Sequence, residues 1–288
     1  MLNFFKNQEQ SKQSSANQNP GKVIAFMNQK GGVGKTTMAY NTARALQEKG
    51  HKVLCLDIDP QFNFSSLLGY DRDLHQHNIF HLMINSVREL KALHSGALLS
   101  EAIIKTESGI DLIPSGQELS GFELTVAGIT APRQLILKRF IEKNNLTHYY
   151  DYIVIDGPPT LGLLVVNILC AVDGVLFPFI PDSFSEQGLK NIQQVLLDIE
   201  DMGITSVPKN LGYIPNLFET RRKQANEDFE SIQGQFSDAH VYAPFANRAN
   251  FAKSMSSKKS VFDFQARDYK ELQGQFLNMA SEIENQLV

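Results

Sequence analysis

Cysteine is nearly absent: only Cys55 and Cys170 occur, both inside apolar runs. That excludes a disulfide-rich scaffold and a cysteine-based zinc site, and it fits a reducing compartment. Long apolar runs are lacking too. The longest flank Asn167 between Leu161 and Val172, well short of the roughly 20 residues that a membrane-spanning helix needs. The opening Met1–Lys6 is too short and turns polar too soon for a secretory signal. There is no excess of positive charge. The 27 Lys and Arg stand against 31 Asp and Glu, a net −4, so attraction to DNA or anionic lipid requires a local basic patch. What is present is 42% apolar residues, enough for a packed core and incompatible with a disordered or fibrous chain. The expectation is a soluble, cytosolic, globular protein.

Residues 6–20 hold no Val, Ile, Leu, Met or Phe, and ten of these fifteen are Gln, Asn or Ser. Such a stretch buries too little apolar surface to offset its ordering entropy, which predicts a flexible leader over 1–21. From Lys22 onward, short continuous apolar runs alternate with helix-spaced segments. Strands are expected at Val23–Met27, Lys52–Asp57, Ile110–Ile113, Tyr152–Ile155, Gly174–Phe179, Leu211–Leu217 and Val241–Tyr242. Helices are expected at Thr36–Lys49, Arg133–Asn144, Leu163–Ala171, Glu186–Met202, Arg221–Phe236 and Asp268–Leu287. Strands that are apolar throughout imply a mostly parallel sheet covered by helices on both faces. The fold class is therefore α/β, a single doubly wound domain over 22–288.

The first strand runs into Asn28-Gln29-Lys30-Gly31-Gly32-Val33-Gly34-Lys35-Thr36-Thr37. Gly31, Gly32 and Gly34 let the backbone wrap closely enough for several N–H groups to face one phosphate chain, and the following helix adds its positive end. Lys35 is placed to neutralise β- and γ-phosphates, and the Thr36 hydroxyl to ligate Mg²⁺. The strict eight-residue phosphate-loop pattern has Gly where this chain has Gln29. Two further strands end in acids: Asp57-Ile58-Asp59-Pro60-Gln61-Phe62-Asn63, and Asp156-Gly157-Pro158-Pro159. Carboxylates ending strands beside a phosphate loop most simply serve Mg²⁺ and an attacking water.

Lys30-Gly-Gly-Val-Gly-Lys-Thr-Thr37 resembles the deviant Walker A signature of ParA/MinD-type ATPases. Residues 57–63 resemble that family's Asp-x-Asp-Pro-Gln-x-Asn switch I, and Asp156–Pro159 its Asp-x-Pro-Pro switch II. The resemblance implies an ATP- and Mg²⁺-dependent ATPase with the nucleotide held by Lys30, Gly31, Gly32, Val33, Gly34, Lys35, Thr36 and Thr37. It implies that Lys30 crosses a homodimer interface to the partner's nucleotide, that Asp59 positions or activates water, and that Asp57 and Asp156 lie near the metal. Relatives recognise adenine around the positions of Asn216 and Pro244, with a turn-capping Asn as the rival reading of Asn216. Phe62 stands where many relatives have Gly.

Charge is uneven. Residues 205–270 carry 10 basic and 7 acidic groups, and 271–288 carry three Glu and no Lys or Arg. The resemblance points to Arg221, Arg222, Arg248, Lys258 and Lys259 as contacts to non-specific DNA, with an ordinary solvated surface as the alternative. Tyr269, Leu272, Phe276, Met279, Ile283 and Leu287 form one helical stripe backed by Glu271, Glu282 and Glu284. That helix should pack on the domain rather than on a membrane. Among relatives, iron proteins need cluster-bridging cysteines, and tyrosine kinases of the superfamily carry a tyrosine-rich tail. This chain has neither. A metabolic P-loop ligase stays open, and His75, His77 and His81 are read as loop and helix residues before a metal site. The expectation is a partition ATPase of plasmid or chromosomal DNA, nucleoid-associated and released by a ParB-like centromere-binding protein, with no membrane partner. The alternatives are positioning of a protein cargo, such as an organelle or receptor array, and MinD-like membrane cycling. Residues 1–21 are too few for a helix-turn-helix ahead of the loop.

Overall fold

The computed structural model describes residues 19–71, 77–90, 98–182, 185–219, 221–236 and 239–288. Most of the expected leader therefore lies outside the described residues, as does His75. Seven strands form one sheet: β1 (Lys22–Phe26), β2 (Val53–Asp57), β3 (Ile104–Lys105), β4 (Asp111–Ile113), β5 (Tyr152–Asp156), β6 (Gly174–Phe179) and β7 (Lys209–Pro215). Their order is β3-β4-β2-β5-β1-β6-β7, and every pairing is parallel except β3 with β4.

The main helices are α1 (Lys35–Glu48), α2 (Asn63–Leu67), α3 (Ile79–Ser86), α4 (Ile136–Lys143), α5 (Leu163–Ala171), α6 (Ser185–Met202), α7 (Lys223–Gln235), α8 (Ala249–Ser256) and α9 (Arg267–Gln286). Alternate residues of each central strand feed two cores. Ile24, Phe26, Cys55 and Val154 face α1 and α9, which contributes Leu272, Phe276 and Ile283. Ala25, Leu54, Leu56 and Ile155 face α3, α4, α5 and α6, which bring Met83, Phe140, Ile168 and Ile192. Both faces are dry, which is why the strands carry no polar alternation. Cys55 and Cys170 are buried in opposite cores, as expected of packing residues.

The C-terminal helix packs on the domain as its stripe predicts. Its three glutamates pair with the body: Glu271 with Arg248, Glu282 with His240, and Glu284 with Lys49 and His51. Among the described residues, no helix is long and apolar enough to cross a membrane. α1 stops where Gly50 takes φ +95, with His51 N–H reaching back to the Leu46 carbonyl at 3.1 Å.

Three details depart from the sequence expectation. Val241 makes a single bridge to Tyr213 rather than a strand. The last strand is displaced to Lys209–Pro215 because the backbone turns at Leu217, where φ is +51. The edge strand β3 falls at Ile104–Lys105, where no strand is expected, while α3 takes the place of the helix read for His81. The chain order reverses around β1, since β5 and β2 lie on one side and β6 on the other. Ligand crevices of open α/β sheets form at the carboxyl ends of such strands.

Candidate functional site

At the end of β1, Asn28 is fully buried and anchors the glycine loop. Its amide donates to the Pro178 carbonyl (2.7 Å), and its Oδ1 accepts from the Lys30 N–H (2.8 Å). Gln29 pairs its side chain with Asn191 of α6. The chain then turns through Gly32 (φ +75) and Gly34 (φ +90) into α1. No side chain caps α1 and no acid sits in its first turn, so its leading N–H groups are left for an anion.

Asn216, at the end of β7, braces this loop. Its Nδ2 donates to the Val33 carbonyl (2.9 Å), and a Cβ on Gly34 would lie 2.2 Å from that nitrogen. Its Oδ1 is buried with no partner among the described residues. Pro244 runs alongside, because the Phe245 N–H bonds the Pro215 carbonyl (2.8 Å) and Gln275 holds the Ala243 and Pro244 carbonyls (3.0 Å each).

The strand-end acids meet because β2, β5 and β1 are in register. Asp57 is level with Asp156, and Asp156 with Phe26. The Thr36 hydroxyl donates to Asp156 Oδ2 (2.6 Å), while Asp156 Oδ1 is buried without a hydrogen-bond partner among the described residues. A hydroxyl beside an orphaned carboxylate oxygen is the hard oxygen set that a magnesium-sized cation takes. Burial pushes the Asp156 carboxyl well above the usual range, and the nearby Asp57 charge adds to it. Burial likewise lowers Lys35, against the pull of Asp156 and Asp59. A ligand carrying both anion and cation relieves both strains.

Asp57 and Asp59 divide differently. Asp57 accepts from Ser65 N–H (2.7 Å), Ser65 Oγ (2.6 Å) and Asp59 N–H (3.1 Å), so both its oxygens brace the following turn. Burial raises it to about 7. Asp59 receives the Gln61 N–H (3.0 Å), and burial raises it as well. Ser115 locks the pair by donating its hydroxyl to the Asp59 carbonyl (2.5 Å) and its N–H to Ser65 Oγ (3.0 Å). A cleft of about 320 Å³ opens beside Asp59, walled by Gln61, Glu123, Pro159, Leu161 and Leu163.

The two loop lysines diverge. Lys35 is buried, its Nζ 3.4 Å from the Lys30 carbonyl. Lys30 turns to the rim and pairs with Asp182. The other Asp182 oxygen accepts the N–H (2.9 Å) and hydroxyl (3.0 Å) of Ser185 at the start of α6. Gly188 lets α6 lie close against the glycine loop, since a Cβ there would stand 3.2 Å from Asn28 Oδ1.

The five basic candidates lie toward the two ends of α8. Arg221 and Arg222 line a cleft of about 520 Å³ with Asn247, next to Arg248, which forms a two-pronged pair with Glu271 (2.7 and 2.6 Å). Lys258 and Lys259 lie beyond the far end of α8, about 12 Å away along the helix. His77 pairs with Glu101 (3.2 Å) and His81 with Glu118 (3.9 Å). Among the described residues, no three His, Cys, Asp or Glu side chains group as metal ligands.

Asn28, Ser65, Ser115 and Asp182 carry no mark in the sequence reading. Asp182-x-x-Ser185 ahead of a helix-spaced run is a capping signature that would have marked one of them. The others act through contacts 50 or more positions away, or through a turn that carries no such signature.

A family model described as an AAA domain matches residues 21–207. The chain is 30% identical to the chromosome partitioning protein ParA of Caulobacter vibrioides, over 84% of this chain and 87% of that one. The fold matches a single-substitution variant of McdA from Cyanothece, solved as an ATP complex, with a TM-score of 0.78 at 20% identity, covering 92% of this chain and 97% of that one. It also matches cobyrinic acid a,c-diamide synthase of Mycobacterium smegmatis, solved with an ATP analog and magnesium. There the TM-score is 0.69 at 29% identity, covering 80% and 86% of the two chains.

Proposed function

Because this chain belongs to the ParA/MinD-type P-loop ATPase family, we propose that it is an ATP-dependent, dimerising DNA-partition ATPase. ATP lies along the loop from Lys30 to Thr37, its phosphates on the α1 N-terminus and Lys35. Thr36 and Asp156, with Asp57 behind them, would hold Mg²⁺, which when bound would supply positive charge to offset that of the phosphates and of the buried carboxylates. Asp57 fixes the turn on which Asp59 orients water. The base lies toward Asn216 and Pro244.

The observation that carries this reading is the divergence of the two lysines. Lys35 faces inward among carboxylates, while Lys30 sits at the rim in a surface ion pair. A rim cation stabilises phosphate charge on a second subunit when two copies face each other, as an arginine finger does. ATP thereby closes a homodimer. The closed dimer holds non-specific DNA through Arg221, Arg222, Arg248, Lys258 and Lys259. A ParB-like partner stimulates hydrolysis and release, segregating plasmid or chromosomal DNA from a cytoplasmic, nucleoid-associated pool. The ATPase domain of this reading spans 22–288, after residues 1–21.

The test is retention on a random-sequence duplex with no nucleotide, ADP and ATP-Mg²⁺ at fixed salt. Retention only with ATP, lost in Lys30→Ala and weakened by salt, is expected. ATP-dependent dimers that bind DNA in no state overturn the DNA assignment.

A further inference from the structure

One short segment touches both turns that border the cleft beside Asp59. It runs from Ser115, just after β4, to Glu123, through a 3₁₀ turn (Gln117–Gly121) and the start of one helical turn (Phe122–Thr125). At its first end, Ser115 is wholly buried. Its hydroxyl donates to the Asp59 carbonyl (2.5 Å), and its N–H to Ser65 Oγ (3.0 Å), which in turn donates to Asp57 (2.6 Å). The backbone of the acid-bearing turn is thus held from this segment.

At its other end, Glu123 reaches the turn that follows β5. α5 has no capping side chain of its own and no acid in its first turn. Glu123 Oε1 fills that place from outside, accepting the Leu163 N–H (3.0 Å). A carboxylate there suits the leading N–H groups of a helix both as acceptor and as charge. Between its ends the segment is fixed. Leu119 and Phe122 are buried in one core with Val165 and Ile168 of α5. Asn78 donates its amide to Glu118 (3.2 Å), and a Cβ on Gly116 would stand 2.2 Å from that amide nitrogen. The cleft of about 320 Å³ takes its walls from all three segments: residues of 59–61, of 119–123 and of 158–165.

We propose that Ser115 and Glu123 are positioning residues for ATP hydrolysis, the two ends of a clamp that sets the Asp59 turn against the 158–163 turn. Neither touches the reacting atoms. Ser115 fixes where the Asp59 carboxylate points, and Glu123 fixes the opposite wall of the space that its water occupies. Because 115–123 is one packed segment, releasing either end lets the cleft widen. This rests on the reading of Asp59 as the water-orienting acid. It extends the hydrolytic machinery to two residues with no phosphate-site chemistry of their own.

The experiment measures single-turnover ATP hydrolysis and ATP affinity for the full chain, with thermal melts alongside. Glu123→Ala is expected to slow hydrolysis about tenfold while ATP affinity changes less than about twofold, since a small misplacement costs rate rather than binding. Glu123→Gln, which keeps the acceptor and loses the charge, restores the rate. Ser115→Ala slows hydrolysis by a similar factor and also lowers the melting temperature, because it strips a buried carbonyl of its donor. Ser115→Ala/Glu123→Ala falls no further than the slower single variant, as two ends of one clamp require. Glu123 is exposed, so its variants fold and decide the matter even where Ser115→Ala does not fold. Wild-type hydrolysis by Glu123→Ala, a Glu123→Gln as slow as Glu123→Ala, or multiplied losses in the double variant overturns the clamp alone. Normal hydrolysis by Asp59→Ala overturns the water-orienting reading and the clamp with it.

Discussion

The side-chain amide of Asn216 packs on Gly34 so closely that a Cβ at position 34 would fall 2.2 Å from its nitrogen. Gly34 also sits at φ +90, where an L side chain is strained. Gly34→Ala is therefore expected to shift the loop, lower stability by roughly 1–3 kcal/mol and abolish nucleotide binding. Thermal melts and titration of a fluorescent nucleotide check both. Adding Asn216→Ala relieves the contact but not the backbone strain, so the double variant recovers only part of the stability.

The Lys30–Asp182 pair opposes any role for Lys30 on a second subunit. Lys30→Ala is expected to keep nucleotide binding and lose ATP-dependent dimers in sedimentation. Asp182→Asn should act in the other direction, because it removes the charge yet can still accept from Ser185. Both partners are about a third exposed, so the pair is worth no more than about 1 kcal/mol. The ATP concentration for half-dimerisation should drop about two- to fivefold.

Stability of the nucleotide-free protein should fall as pH rises through neutrality. Asp57, raised by burial to about 7, holds a proton in the folded state that an unfolded Asp releases near pH 4. Its stabilising contribution is therefore full below about pH 4 and is lost as pH climbs through about 7. Asp156 and Asp59 are shifted in the same direction. Melting the protein across pH 5–8 should show the decline, of order 4 kcal/mol at most from Asp57. Asp57→Asn should flatten it. ATP-Mg²⁺ should offset the loss at the high-pH end.

The glycine loop and the strand-end acids were legible in the sequence because their chemistry is local. A glycine cluster between an apolar strand and a helix, and an Asp closing an apolar run, announce themselves within ten residues. Ser115 was not legible, since it matters only through partners brought near by the sheet, and Asp182 was legible at most as a helix cap, not as the partner of Lys30. The two-residue edge strand β3 was too short to leave a periodic trace. Nor could net charge over 205–270 report that α8 sets the two basic groups apart. The C-terminal helix was readable to its function of packing because its apolar spacing and acidic face left one consistent placement.

Asp57 and Asp59 are two residues apart, yet their variants should fail in different ways. Asp57 accepts three hydrogen bonds through its side chain, so Asp57→Ala releases the Ser65 turn and costs stability. The Asp59 backbone is what Asp57 and Ser115 hold, and its side chain receives the Gln61 N–H and faces the cleft. Asp59→Ala should therefore melt within a few degrees of wild type, bind ATP and dimerise. With no carboxylate to orient water, its hydrolysis should drop on the order of 10²-fold, leaving a closed dimer that stays on DNA. Single-turnover hydrolysis, read beside DNA retention over time, separates the two roles. Normal turnover by Asp59→Ala would remove Asp59 from the water-positioning role and leave this turn as a structural brace alone.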